Sequence, residues 1–189
     1  MNIAIVFHTK NGHTGKLAEA ISQGVSQVSA KCTMVEIGAM HTIPWHTLHE
    51  ASAIIFGSPT FMGNVSAPFK SFMDDSGDFW LDLPWINKIA AGFTISTSPS
   101  GDKSGTLIAL MTFAMQHGMI WVGQDQLGSI HSKDGLGINE AGSWIGLMAT
   151  SNPDKSKLIG EGDKETAIIF GRRIANIAKH LATQSGELS

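Results

Sequence analysis

Phe7-His8-Thr9-Lys10-Asn11-Gly12-His13-Thr14 is the stretch whose reading decides the fold. The apolar run Ile3-Ala4-Ile5-Val6 precedes it, and Leu17, Ile21, Val25 and Val28 follow at helical spacing. A buried strand that breaks into a hydroxyl- and glycine-bearing turn, then starts a helix, has the form of an anion site. The N–H groups of the turn and first helical turn point at one spot, and the helix dipole favours negative charge there. Thr9 and Thr14 add hydroxyl donors, and Gly12 permits close backbone approach. His13 lies inside the turn and is a candidate to cap it or to touch the anion. The alternative is a plain helix start at Asn11 or Thr14 that satisfies only its own orphan donors.

Spacing narrows the ligand. A P-loop needs G-x-x-x-x-G-K-[ST]; Gly12 and Gly15 are too close together, and Leu17 stands after Lys16 where a Mg²⁺-holding hydroxyl belongs. A dinucleotide loop needs G-x-G-x-x-G, which is missing, although Glu36 ends the second strand where such a fold keeps its ribose acid. Binding by N–H groups and hydroxyls without a metal suits a monophosphate better than a triphosphate.

Further along, the pattern alternates. Strands are expected at Asn2–Phe7, Lys31–Ile37, Ala51–Gly57, Ile89–Ser96 and from Met119 to Val122, the last resuming at Trp144–Ala149 after a Gly-rich, polar segment from Gly123 to Gly142. Helices are expected from Gly12 to Val28, around Phe69, Phe72 and Met73 with Pro68 in the first turn, along Leu107, Leu110, Met111 and Ala114, and at the C-terminus along Ala167, Phe170, Ile174, Ile177 and Leu181. Pro44 to Glu50 and the aromatic stretch Gly77 to Asn87 read as connectors. Such alternation predicts an α/β fold: one domain over 1–189, with a five-stranded doubly wound parallel sheet in the order 2-1-3-4-5 and helices on both faces. Ligands bind beyond the carboxyl ends of such strands, where the order reverses. Three loops leave strands one, three and four there, at 8–14, 58–64 and 96–101, and converge on one cleft.

The second loop, Ser58-Pro59-Thr60-Phe61-Met62-Gly63-Asn64, offers backbone N–H groups and apolar faces on Phe61 and Met62. Pro59, Gly63 and Asn64 mark an exposed turn, which favours a flat ring lying on Phe61 over simple core packing. The third loop, Ser96-Thr97-Ser98-Pro99-Ser100-Gly101, is dense in small hydroxyl residues. Its N–H groups suit the pyrimidine edge of a flavin, where negative charge grows on reduction; a plain Pro-Ser-Gly turn is the alternative.

Bulk composition excludes other classes. The chain of 189 residues is 42% apolar and 15% charged, which argues for a packed core and against disorder. A net charge of −3 is too mild to imply nucleic acid, and mild for a carrier that docks through an acidic face. No stretch is long and apolar enough to span a membrane. One cysteine, Cys32, excludes an intramolecular disulfide, fits a reducing cytoplasm, and reads as a buried inert thiol. His41, His46 and His49 crowd one connector without partners for a metal, so a solvated connector and no metal site are expected.

The stretches H-T-K-N-G-H-T at 8–14, A-I-I-F-G-S-P-T-F-M-G-N-V-S at 53–66, G-D-F-W at 77–80, S-T-S-P-S-G at 96–101 and Q-H-G-M at 116–119 resemble the flavodoxin-like superfamily. They are most similar to NAD(P)H:quinone oxidoreductases of the WrbA type (tryptophan-repressor-binding protein A) and to NADPH-dependent FMN reductases, in family order over most of the chain. The resemblance implies non-covalent FMN held by Thr9, Lys10, Asn11, Gly12, His13 and Thr14, by Pro59 to Asn64, and by Ser96 to Gly101. It implies NADH or NADPH as co-substrate and a quinone sharing the exposed ring face near Trp80, with His117 or Gln116 contacting the flavin edge or the acceptor. It further implies a homodimer or homotetramer. The sequence departs from the family at Gln116, where a histidine precedes the H-G-M; at Phe61, where an arginine stands; and at Asn11, where a tyrosine linked to nicotinamide binding stands. Two other readings stay open: a flavodoxin that carries single electrons, and a flavodoxin-like scaffold without cofactor.

Overall fold

The computed structural model describes residues 1–28, 30–38, 42–128, 135–152, 154 and 157–187. Strands β1 (Asn2–Phe7), β2 (Lys31–Glu36), β3 (Ala53–Pro59), β4 (Ile89–Ser96) and β5 (Ile120–Trp121) lie in the parallel order β2-β1-β3-β4-β5. A sixth strand, β6 (Leu147–Thr150), also pairs parallel with β4. β5 pairs with Ile89 and Ala90, and β6 with Phe93 through Ser96, so the fifth position of the sheet is filled by one strand in two pieces. The sequence-based count of five is therefore a count of positions. Gln124 N–H donates to Trp144 O at 2.9 Å and closes the gap between the pieces. The histidine His41 lies outside the described residues, as do 129–134 of the Gly-rich segment.

Period-two alternation inside the apolar strands assigns each residue to one of two cores. Ile3, Ile5 and Phe7 of β1 face α1 (His13–Ser26) and α5 (Glu161–Glu187); Ala4 and Val6 face α2 (Trp45–His49), α3 (Ala67–Asp75) and α4 (Lys103–Gln116). Every residue of β3 is buried, so its whole sequence had to be apolar or small. Helices α1 and α5 meet backbone to backbone. A Cβ on Gly24 would overlap Ile168 O, and one on Gly171 would overlap Ile21 O, so both positions require glycine.

Two connectors carry structure that local patterning does not announce. Pro44–Glu50 holds the single-turn helix α2, whose Trp45 stacks on Phe72 with ring centroids 5.2 Å apart. Ser76–Asp82 forms a 3₁₀ helix, and Trp85 beyond it is fully buried among Phe56, Phe79 and Phe113. Both segments line the second core with aromatic rings, a tertiary role that leaves no helical period. His49 accordingly is not a solvated residue: its ring packs edge-on against Phe79 at 4.7 Å.

Candidate functional site

The loops after β1, β3 and β4 meet at the carboxyl edge of the sheet. Between them lies a cleft of about 170 Å³ lined by Thr9, Lys10, Asn11, His13 and Thr14, by Pro59, Thr60 and Phe61, and by Ile95, Ser96, Thr97 and Ser151. Among the described residues no carboxylate lines it.

The first loop is built to present donors. Gly12 precedes α1 with φ of 85°, a left-handed conformation that glycine adopts without strain, and its N–H donates to Thr9 Oγ1 at 3.1 Å. Helix α1 has no side-chain cap and no acid in its first turn. Its first N–H groups are therefore left to a ligand, and an anion is the ligand they suit. The Thr9 hydroxyl accepts from Gly12 and keeps its own proton free to donate. His13 Nδ1 lies 2.8 Å from Leu158 O; a carbonyl only accepts, so Nδ1 carries the proton.

The second loop is rigid. Phe61 and Asn64 exchange N–H···O bonds of 3.0 and 3.1 Å around Met62 (φ 50°) and Gly63 (φ 75°), a two-residue turn with both central residues left-handed. Thr60 anchors its base. The Thr60 hydroxyl bonds the hydroxyls of Thr94 and Thr106, both at 2.8 Å and fully buried, and its N–H donates to Ile95 O at 3.0 Å. The expected donation from this loop to a ring is thereby narrowed. The N–H groups of Thr60 and Phe61 are engaged within the protein, which leaves the exposed Phe61 side chain and the Met62–Gly63 tip to meet a ligand.

The third loop folds over itself. Ser96 Oγ donates to Ser98 O at 2.9 Å, and a Cβ on Gly101 (φ 56°) would overlap Ser96 Oγ, so glycine is required there. Ser96 and Thr97 reach the cleft, whereas Ser98, Pro99 and Ser100 are exposed on the loop's outer side. Ser151 was not anticipated. It enters because its N–H donates to Ser96 O at 2.9 Å, which extends β6 along β4 to the cleft floor. Only strand pairing reveals that contact.

Gln116, His117 and Trp80 do not join this cleft within the chain. Helix α4 starts beside the third loop and runs 14 residues, about 20 Å, away from it. Gln116 and His117 therefore sit at the amino edge of the sheet, where Gly118 O accepts from Asn87 N–H just before β4. There, with Trp80, they line a separate open groove of about 570 Å³. Trp80 Nε1 donates to Gln116 O at 2.7 Å. His117 is only 2% exposed, and its Nε2 lies 2.9 Å from Ser76 Oγ. Since Ser76 Oγ donates to Met73 O, its oxygen is the acceptor for His117 Nε2–H, and Nδ1 is bare and unpartnered among the described residues. Burial lowers this imidazole to about 4, so it is neutral at pH 7. Within this chain His117 is a shielded, neutral ring at the far edge of the sheet.

The first core and first loop match a known family over most of the chain: the profile of the NADPH-dependent FMN reductases matches residues 1–134. The chain belongs to the NADPH-dependent FMN reductase family. It is 36% identical to flavodoxin FldP of Pseudomonas aeruginosa over 94% of this chain and 96% of that protein. It is 29% identical to an NAD(P)H dehydrogenase (quinone) of Archaeoglobus fulgidus over 95% and 98% of the two chains. A crystal structure of a WrbA-like flavodoxin from Agrobacterium tumefaciens superposes with a TM-score of 0.75 at 37% identity, covering 95% of this chain and 98% of that one. The flavodoxin-like, WrbA-type resemblance of the sequence is thus established, and with it an oxidoreductase that uses FMN with NAD(P)H as electron donor.

The cleft fits such a cofactor chemically. Uncapped N–H groups, hydroxyls and Lys10 suit a phosphate monoester, and no carboxylate among the described residues lines the cleft to repel it. The volume is below the roughly 300–1,000 Å³ of a ligand-enclosing pocket. It would take the narrow end of FMN and leave a ring over the Phe61 rim open to a second reactant.

Proposed function

We propose that this protein is an NAD(P)H:quinone two-electron reductase and that the cleft at the carboxyl edge is its FMN site. The observation that carries this reading is the meeting of three loops around one cleft at an uncapped helix N-terminus. FMN bound there would supply the redox chemistry, two-electron exchange between a nicotinamide donor and an acceptor.

The chain's own work is to bind, orient and polarise. The first turn of α1, with Thr9, Asn11 and Thr14, would hold the phosphate; Phe61 would offer an apolar face to the ring; Ser96 and Thr97 would meet its polar edge. No side chain is required as nucleophile or metal ligand. Phe61 makes the open rim apolar and uncharged, which supports an apolar planar acceptor such as a quinone. The quinone dehydrogenase relatives support the same acceptor class. A homodimer or homotetramer belongs to the proposal, supported by the apolar groove beside exposed Trp80. So does a cytoplasmic site of action. Among the described residues, no helix is long and apolar enough to cross a membrane.

The test is direct. The purified protein is expected to be yellow, to release FMN on denaturation, to bleach with NADH or NADPH, and to regain colour with a quinone. Colour that neither nicotinamide bleaches would sink the reductase reading. The 36% identity with flavodoxin FldP supports a second reading, one-electron transfer. Potentiometry that resolves two well-separated one-electron steps would favour it.

A further inference from the structure

Lys103 is the most deeply buried charge among the described residues, at 1% exposure. Its ammonium donates to Ala149 O and to Thr150 Oγ1, both at 2.9 Å. Thr150 ends β6 opposite Ser96, and the next residue is Ser151, so the ammonium lies directly behind the part of the cleft floor that Ser96 and Ser151 form. Holding a cation there is costly. The group is buried, which disfavours its charged form, and it stands in the first turn of α4, where the helix dipole already presents positive potential. Its two hydrogen bonds and the Asp163 carboxylate offset part of that cost. The nearest counter-charge is Asp163 of α5, whose Oδ2 accepts from Thr150 N–H at 3.0 Å. Burial raises the Asp163 carboxyl, while that N–H and Lys103 pull it back down.

We infer that Lys103 is a positioning residue for the redox equilibrium: its buried charge, added to the N-terminus of α4, holds the cleft floor at positive potential and so favours the reduced form of FMN. The inference rests on the reading of the cleft as the FMN site. Hydride delivery brings two electrons and one proton, so the ring gains one negative charge unless a second proton follows. A cation behind the floor, with no carboxylate among the described residues lining the cleft, stabilises that charge and requires no reorganisation to do so.

The experiment is the midpoint potential of bound FMN, measured by photoreduction against reference dyes, in wild type, K103M, K103R and D163N. Thermal melts and FMN dissociation constants are taken in parallel. K103M is expected to lower the equilibrium constant for reduction at least tenfold, which is about 30 mV for a two-electron couple. K103R is expected to restore most of it. D163N removes the counter-charge while its amide oxygen can still accept from Thr150 N–H, so its potential is expected to rise. Opposite shifts cannot arise from a merely structural role, which would leave the potential alone or move both variants together. If K103M does not fold, D163N decides by itself: a rise supports the inference and no change overturns it. Variants that bind FMN at the wild-type potential overturn this inference alone. Wild-type protein without affinity for FMN overturns the site reading and the inference with it.

Discussion

Thr60→Val tests whether the second loop is held by buried hydroxyls. Valine matches threonine in shape, so the change removes one oxygen and leaves the packing intact. That oxygen is the shared partner of the Thr94 and Thr106 hydroxyls, each 2.8 Å away and each fully buried. Orphaning a buried hydroxyl costs about 1–3 kcal/mol, so two orphans less the small gain of an added methyl give a loss of about 2–4 kcal/mol. For a chain of this length each kcal/mol moves the melting temperature by about 2–4 °C, which predicts a fall of about 4–16 °C. The triple variant Thr60→Val, Thr94→Val, Thr106→Val removes all three hydroxyls and leaves no orphan among them. It is expected to recover most of the loss, because replacing both partners of a bond by apolar groups of the same shape is nearly neutral. Urea denaturation of the FMN-free protein reads both values. The reasoning is refuted if Thr60→Val lies within about 0.5 kcal/mol of wild type, or if the triple variant is less stable than the single one. Looser anchoring of Phe61 is also expected to weaken FMN several-fold in the single variant.

Other outcomes follow from the same geometry. Gly171→Ala forces a methyl into Ile21 O and is expected to cost about 1–3 kcal/mol in urea unfolding without changing FMN affinity, since α5 lies behind the sheet. His117 titrates near 4 in the folded chain against 6.5 in the unfolded one, so below about pH 6.5 the unfolded state binds more protons. Stability is therefore expected to fall by about 3 kcal/mol between pH 7 and pH 4 on this group, and His117→Gln should flatten that part of the profile. Burial lowers His8 and His49 as well, which adds to the same slope. Phe61→Ala removes the apolar rim and is expected to raise KM for a quinone about tenfold while FMN stays bound through its phosphate end; an unchanged KM would remove Phe61 from the acceptor site.

The anion loop, the strand order and the convergence of three loops were legible because each rests on local signals. Gly12 supplies a left-handed turn, β1 and β3 are apolar on both faces, and parallel crossovers are right-handed. The composition of the 96–101 loop likewise pointed to its place at the cleft. The sites of Gln116, His117 and Trp80 were not legible. Their place beside the flavin was what the family resemblance implied, whereas within this chain α4 carries its C-terminus to the opposite edge of the sheet.

The sequence by itself determined the class of fold and the kind of ligand, because hydrophobic period, turn chemistry and motif spacing act over a few residues at a time. The tertiary structure alone decided which groups share a space. Ser151 reaches the cleft floor, Lys103 reaches behind it, and one threonine oxygen joins three elements. These contacts link residues more than thirty positions apart, through strand register and helix docking, and no local pattern encodes the pairing.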